Sequence, residues 1–567
     1  MNSLQAIFNI AEICARHGIT DVVLSPGSRS APLTLAFARH PDLTVRVVPD
    51  ERAAAFIGLG IAQAQRRAVA LVCTSGTAGL NYAPAVAEAF FQHIPLVIFT
   101  ADRPPEWIDQ LDGQTIRQRN LYGAHAKGEF EFPVDTSHAD AKWHSARIVN
   151  EAINLAQAAP AGPVQVNVPL REPFYPKAGE EIGYEQDVRI IRGIVAAPAI
   201  SQPGWISIRK AIITSNRVLV VLGQQTENSA LYAALVQFID TKYATVVADC
   251  IGQINAFDPV MAQDIFVPHV PPQTIQPDVL ITCGLSLISK SLKQFLRKNP
   301  PKRHIHVLPA GVAPDTFQVL TDVVYAEPAV FFASILEGYA ATDESSAFHH
   351  AWSQADAKGA AVLKQFFQNH AKTPLTEFAA MSAVLPGIQA GTALHLANSM
   401  AVRYANILGV EASVEVFANR GTSGIDGCTS TAVGGALAQP ERPVVLLTGD
   451  VAFFYDRNAF WHNYPTPNLR VVLFNNHGGG IFRIIDGPRQ QPELDEFFET
   501  RQALTAENLC RDFGLRYLPV SSFDELDAAL PVLFAAETGA AVLEVFTDSK
   551  TNAAFFEEYR AAVKAAF

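Results

Sequence analysis

Short, uninterrupted runs of Val, Ile and Leu recur along this chain and alternate with segments of helical periodicity. The first are DVVLS (21–25), LTVRVV (43–48), AVALVCT (68–74) and PLVIFTA (95–101). Each is too short for a core helix and too uniformly apolar to leave one face in water, which is the condition of a strand inside a parallel sheet. Between them Leu4, Ile7, Phe8, Ala11 and Cys14 repeat at helical spacing and stop at Gly18, and helices are expected again over 53–65 and 79–91. Strand and helix in this rhythm build an α/β sheet covered on both faces.

The rhythm restarts twice. After VQVNVPL (164–170) the chain is punctuated by Pro173, Pro176, Gly179 and Gly183, and a second series follows with RVLVVLG (217–223), ATVVAD (244–249), PDVLITCG (277–284) and HIHVLP (304–309). The polar segment ATDESSAFHH (341–350) leads into a long helix and a third series: TALHL (392–396), SVEVFA (413–418), PVVLLTG (443–449), RVVLFNN (470–476) and AAVLEVF (540–546). Three consecutive α/β domains with parallel sheets are expected, over 1–180, 181–345 and 346–567, in keeping with about 150 residues per domain. A net charge of −12 argues against a nucleic-acid binder that works by neutralising phosphates. No apolar run reaches the roughly 18 residues of a membrane span, so no membrane insertion is expected. Glu12 and Arg16 interrupt the first apolar helix, unlike a secretory leader, and the six cysteines are scattered without a CxxC pair. A cytoplasmic protein with reduced, buried cysteines is the expectation.

In open parallel sheets, ligands lie beyond the carboxyl ends of the strands. Two strand ends in the third series stand out: Gly449-Asp450 after PVVLLT, and Asn475-Asn476 after RVVLF, followed by Gly478, Gly479 and Gly480. Either dipeptide alone reads as an ordinary turn. Together, 26 positions apart with room for one helix and one strand between them, they deliver a carboxylate, an amide oxygen and a backbone carbonyl. Those are the hard donors that Mg²⁺ accepts alongside phosphate oxygens. Glycines let the main chain approach such phosphates closely.

This pair of strand ends resembles the diphosphate motif of the thiamine diphosphate enzymes, GD followed some distance later by NN, with Val451 where Gly is usual. The resemblance implies thiamine diphosphate as cofactor and Mg²⁺ (or Mn²⁺) held by Asp450, Asn476 and the Gly478 carbonyl, with Gly449 against the cofactor. It also implies a glutamate from the first domain that hydrogen-bonds the aminopyrimidine ring. Glu51, at the mouth of the helix in PDERAAAFIGLGIAQ, matches it, and TSGTAGLNYAP (74–84) resembles the next cofactor loop, with Ser75, Gly76 and Thr77.

SPGSRSAPL (25–33), TADRPPE (100–106), GQTIRQ (113–118), NSMAVR (398–403) and NRGTSGIDG (419–427) narrow the resemblance. In this order they are similar to the 2-succinyl-5-enolpyruvyl-6-hydroxy-3-cyclohexene-1-carboxylate (SEPHCHC) synthase family of menaquinone biosynthesis. Only GLSLISK (284–290) carries the likeness in the middle domain. The reaction implied is decarboxylation of 2-oxoglutarate and 1,4-addition of the resulting succinic semialdehyde equivalent to isochorismate. Both substrates are dicarboxylates. Arg29, Arg103, Arg403 and Arg420 lie in loops or helix starts near expected strand ends, where a guanidinium can clamp a carboxylate with two hydrogen bonds. Ser28, Gln114, Asn398, Ser399 and Lys290 are the polar neighbours assigned to substrate. The family pattern makes Ile425 the prop beneath a bent cofactor with the Ser423 carbonyl near its amino group, and makes Ile481 and Phe482 an apolar wall at the reacting centre.

The only His-His pair, His349-His350, falls in the expected interdomain segment, so the site is poor in proton donors, which suits carbon–carbon bond formation. A homodimer or homotetramer with the site between chains is implied. The competing readings are an acetolactate-synthase-like 2-oxo-acid decarboxylase or carboligase, and a non-catalytic protein on the same fold. Pyruvate would leave the arginines without a second carboxylate.

Overall fold

The computed structural model describes residues 4–567 except 173, 177–181, 195–199, 241, 255–258, 336–342 and 371–373. The chain divides into two compact units. One comprises Met1–Val195 with Asn419–Val444 and Ala452–Leu469; the other comprises Ala196–Ala418 with Val445–Val451 and Arg470–Phe567.

The first unit is built on six parallel strands, β1 (Asp21–Leu24), β2 (Thr44–Val47), β3 (Val69–Cys73), β4 (Leu96–Asp102), β5 (Glu129–Glu131) and β6 (Val164–Pro169), in the order β2-β1-β3-β4-β6-β5. Register follows the apolar runs: Val22 stands beside Val45 on one side and Ala70 on the other. Both faces are covered, every residue of β1, β3, β4 and β6 being buried, and Phe8, Phe37, Phe99 and Phe132 fill one of them.

Against this sheet the helix Glu51–Gln65 crosses the helix Cys428–Ala438 with backbones touching. A Cβ on Gly60 would lie 2.0 Å from the Thr431 carbonyl oxygen, and one on Gly434 would lie 2.2 Å from that of Ile57. No side chain fits there. Gly60→Ala is therefore expected to destabilise the protein by about 1–3 kcal/mol through overpacking, read as a lower midpoint in differential scanning calorimetry. An unchanged midpoint would show that the helices slide apart freely.

Cys428–Ala438 is also tied at its N-terminal turn. The carboxylate of Asp456 accepts from the backbone N–H (2.6 Å) and hydroxyl (2.7 Å) of Ser430. Burial pushes this carboxyl up to about 7 in spite of those bonds. The folded state thus holds the proton more tightly than the unfolded state, so the contribution of this group is fully present at low pH and is lost as pH rises toward 7. Asp456→Asn is expected to flatten that slope, which denaturant titrations at about pH 5 and about pH 7 would reveal.

The second unit holds two sheets. Strands β7 (Val218–Leu222), β8 (Ala244–Ala248), β9 (Val279–Cys283), β10 (Arg303–Leu308) and β11 (Asp322–Tyr325) pair in parallel in the order β11-β10-β9-β7-β8. Strands β12 (Ala393–Leu396), β13 (Glu415–Phe417), β14 (Val444–Gly449), β15 (Leu469–Asn475), β16 (Arg516–Val520) and β17 (Ala541–Phe546) follow in the order β13-β12-β14-β15-β17-β16. Val444 and Leu469 are counted with the first unit. The architecture is three parallel-sheet α/β domains.

The segment expected to be a polar connector folds differently. A helix runs over Asp343–Asn369, burying Ser345, Phe348, Trp352, Ala355, Gly359, Leu363 and Phe366 at three- and four-residue intervals, and Trp352 donates to the Ile275 carbonyl (3.1 Å). His349 and His350 lie on this helix, half-buried and exposed. Among the described residues no helix is long and apolar enough to cross a membrane.

Candidate active site

In the first unit, Glu51 is the first residue of its helix, yet it does not cap it. Asp50 does so, accepting from the backbone N–H groups of Arg52 (2.9 Å) and Ala53 (3.2 Å). The Glu51 carboxylate is left to line a cleft of about 320 Å³ with Thr74, Ser75, Gly76, Thr77, Gln114 and Ile116. Burial, then the charge of Glu51, pushes the neighbouring Cys73 thiol well above its usual range. The hydroxyls of Thr74 and Ser75 are buried without partners, a cost that a bound polar ligand would offset.

Gly76 adopts a φ of +85°, and a Cβ there would reach Gln114 at 3.4 Å. Its N–H donates to Gln118 Oε1 (2.8 Å), while Gln118 Nε2 donates to the Ala101 carbonyl and Asn167 Oδ1, both at 3.0 Å. Gln118 thereby locks the GQTIRQ loop onto the SGT loop. The sequence pattern points to Gln114 rather than to Gln118; Gln114 itself is exposed, with a φ of +55°.

Arg29 and Arg103 are neighbours. Burial first, then the charge of Arg103, pulls the Arg29 guanidinium down from its ordinary value. Arg29 donates to the Leu170 carbonyl (3.0 Å) and lies 4.5 Å from the centre of the Phe174 ring. Arg103 donates to the Gly113 carbonyl (2.9 Å) and pairs with Asp112 (3.1 Å). Ser28 is exposed beside Arg29. The loop bearing the buried Arg420, the exposed Ser423 and the half-buried Ile425 is anchored by Glu88, another residue missed in the sequence. Its carboxylate accepts from the N–H groups of Gly421 and Thr422 (both 2.7 Å), from the Thr422 hydroxyl and from Gln92. A lone Glu within the apolar run PAVAEAFF was the available signal.

In the second unit, the ends of β14 and β15 meet. Asp450 is 2% exposed, and its carboxylate accepts from Val451 N–H (2.8 Å), Gly478 N–H (2.7 Å) and Gln502 Nε2 (3.0 Å). Burial nevertheless pushes it up to about 6, as expected of a carboxylate whose partners are all neutral donors. Asn475 is committed to structure, donating to Glu544 (2.7 Å) and the Leu504 carbonyl (2.9 Å). Asn476 donates to Glu377, and its Oδ1 is buried without a partner. Gly449 has open space where a Cβ would stand, whereas a Cβ on Gly478 would lie 2.7 Å from the Glu499 carbonyl oxygen. Ile481 and Phe482 are half-buried in the turn Gly480–Arg483, where Arg483 pairs with Asp495 and Glu499. Asn398 is buried, Ser399 has a φ of +72°, and Arg403 is exposed and donates to the Ser399 carbonyl. Lys290 is exposed at the start of the helix Lys290–Lys298.

Among the described residues no three His, Cys, Asp or Glu side chains converge as ion ligands. One buried carboxylate, one unpartnered amide oxygen and a glycine-lined approach fit an ion that also takes oxygens from a diphosphate.

Fold and site together define a thiamine diphosphate enzyme. The family models for the N-terminal and C-terminal TPP-binding domains of thiamine pyrophosphate enzymes match residues 6–122 and 399–545. The crystal structure of benzoylformate decarboxylase from Polynucleobacter necessarius superposes with a TM-score of 0.74 over 96% of this chain and 98% of its own, at 18% identity. The chain belongs to the 2-succinyl-5-enolpyruvyl-6-hydroxy-3-cyclohexene-1-carboxylate synthases: it is 43% identical to that synthase of Cytophaga hutchinsonii over 100% of both chains, and 36% identical to that of Flavobacterium johnsoniae over 97% of both. It is a thiamine diphosphate-dependent transferase of menaquinone biosynthesis that forms carbon–carbon bonds.

Proposed function

We propose that this enzyme takes 2-oxoglutarate and isochorismate as substrates and releases CO₂ and 2-succinyl-5-enolpyruvyl-6-hydroxy-3-cyclohexene-1-carboxylate. The bond between C1 and C2 of 2-oxoglutarate breaks, and a bond from C2 to the ring alkene of isochorismate forms in a 1,4 sense. The observation that supports this choice is the pair of adjacent guanidiniums, Arg29 and Arg103, with Arg103 bonded to the loop that lines the Glu51 cleft. Two such cations match substrates carrying two carboxylates each.

Thiamine diphosphate supplies the electron sink for the pair left by decarboxylation. Glu51 would hydrogen-bond the aminopyrimidine ring. Ser75, Gly76 and Thr77, beside Thr74 in the Glu51 cleft, would contact the cofactor, and Ile425 and the Ser423 carbonyl would help to hold it. Asp450, Asn476 and the Gly478 carbonyl would hold Mg²⁺ or Mn²⁺, and Gly449 would leave room for the diphosphate. Ile481 and Phe482 exclude water from the reacting carbon. Ser28, Arg29, Arg103, Gln114, Lys290, Asn398, Ser399, Arg403 and Arg420 orient the substrates. In this reading residues 1–180 bind the pyrimidine, 181–345 form the central domain and 346–567 bind diphosphate and metal. The working form is a cytoplasmic homodimer or homotetramer in which one protomer supplies Glu51 and its partner supplies Asp450. No nucleic acid takes part, and the enzyme does not insert into a membrane.

The test is spectrophotometric: isochorismate loss is followed with purified enzyme, thiamine diphosphate and Mg²⁺, once with 2-oxoglutarate and once with pyruvate. Consumption is expected only with 2-oxoglutarate. Equal consumption with pyruvate would overturn the donor assignment and favour an acetolactate-synthase-like reaction.

A further inference from the structure

An asparagine that ligates a cation must present its oxygen and turn its NH₂ away, and nothing within the amide itself favours one end over the other. For Asn476 that choice is made from behind. Nδ2 donates to Glu377, leaving Oδ1 buried and without a partner. Gly480 lies close against the same nitrogen, since a Cβ there would stand 2.8 Å from Asn476 Nδ2.

Glu377 is itself firmly placed. It opens the helix Glu377–Val384, which Thr376 caps by accepting from Ala379 N–H (3.3 Å). Its backbone N–H donates to Asn552 Oδ1 (3.0 Å), and Asn552 Nδ2 donates to the Thr547 hydroxyl (2.9 Å). Only its side chain reaches Asn476, 99 positions away in sequence. A carboxylate buried this deeply is costly to keep, whereas an apolar side chain would fill the same place if packing were all that mattered.

We propose that Glu377 is a positioning residue for the metal centre: by accepting from Asn476 Nδ2 it fixes the amide with Oδ1 toward the divalent cation. The proposal rests on the reading that Asp450, Asn476 and Gly478 hold that cation. Without an acceptor at 377 the buried NH₂ is left unpaired whenever Oδ1 ligates the cation, a cost that weakens binding. Loss of such an outer-shell partner typically costs about 10–100-fold in metal affinity.

The experiment is isothermal titration calorimetry of Mg²⁺ into wild type, Glu377→Leu and Glu377→Gln, each premixed with thiamine diphosphate, with circular dichroism melts to verify folding. The expected result is a roughly 10–100-fold weaker Mg²⁺ affinity for the Leu variant and near wild-type affinity for the Gln variant, which keeps an acceptor oxygen. Wild-type-like affinity in a folded Leu variant would overturn the positioning role while leaving the metal reading intact. Equal weakening in both variants would overturn it in favour of a simple charge effect. An absence of Mg²⁺ binding in wild type would instead sink the metal reading and this proposal with it. Should the Leu variant fail to fold, Glu377→Thr, too short to reach the amide yet polar, carries the same expectation.

Discussion

Glu51→Gln is expected to lower turnover by about 10²–10⁴-fold, the usual worth of a positioned acid or base, while thiamine diphosphate still binds. Asp50 caps the helix through Arg52 and Ala53, so the substitution leaves the helix start intact. The one structural contribution removed is a first-turn negative charge, worth at most about 1 kcal/mol on an exposed helix. Gln matches Glu in size and keeps an acceptor, but it cannot take up or release the proton. Steady-state kinetics paired with a fluorescence titration of the cofactor separates the two effects. A variant that keeps a tenth of wild-type turnover would remove Glu51 from the chemistry.

Asp450→Ala is expected to weaken cofactor binding in the presence of Mg²⁺ by more than about 100-fold, because it removes the only carboxylate of the proposed metal set. It also strands the donors that Asp450 satisfies, Gly478 N–H and Gln502 Nε2 among them. Asp450→Asn does not escape the loss. An amide that turns its oxygen to Gly478 and Gln502 points NH₂ at Val451 N–H, donor against donor. Equilibrium dialysis of labelled thiamine diphosphate with and without Mg²⁺ gives the answer. Retained, Mg²⁺-dependent binding in the Ala variant would move the cation elsewhere.

Central strands were legible because burial on both faces demands uniform apolarity: Val69–Cys73 and Val444–Gly449 announce themselves. The strands that the sequence concealed, β5, β11 and β16, each lie at one edge of their sheet, while the opposite edges, β2, β8 and β13, keep apolar runs and were legible. An outer strand needs no continuous apolar run, and EFE or RYLPV reads as loop. The candidate site divides in the same way. Residues at strand ends, such as Asp450 and Asn476, follow from topology plus composition. Gln118, Glu88 and Glu377 do not, because each acts through a partner brought near only by folding; Glu88 meets Gly421 from 333 positions away. On a helix, a carboxylate reads as a solvated face until its neighbours are known.

The touching helices of the first unit bear on how genetic data for this enzyme should be interpreted. Gly60 and Gly434 have no room for even a methyl group, and neither lines the Glu51 cleft. In a saturation library scored by growth on a menaquinone-dependent medium, both positions would be depleted as thoroughly as Glu51 itself. Scored instead by protein abundance, Glu51 variants would persist while those at 60 and 434 would vanish. The ratio of the two scores, position by position, therefore draws the boundary between residues that make the product and residues that keep the protein whole.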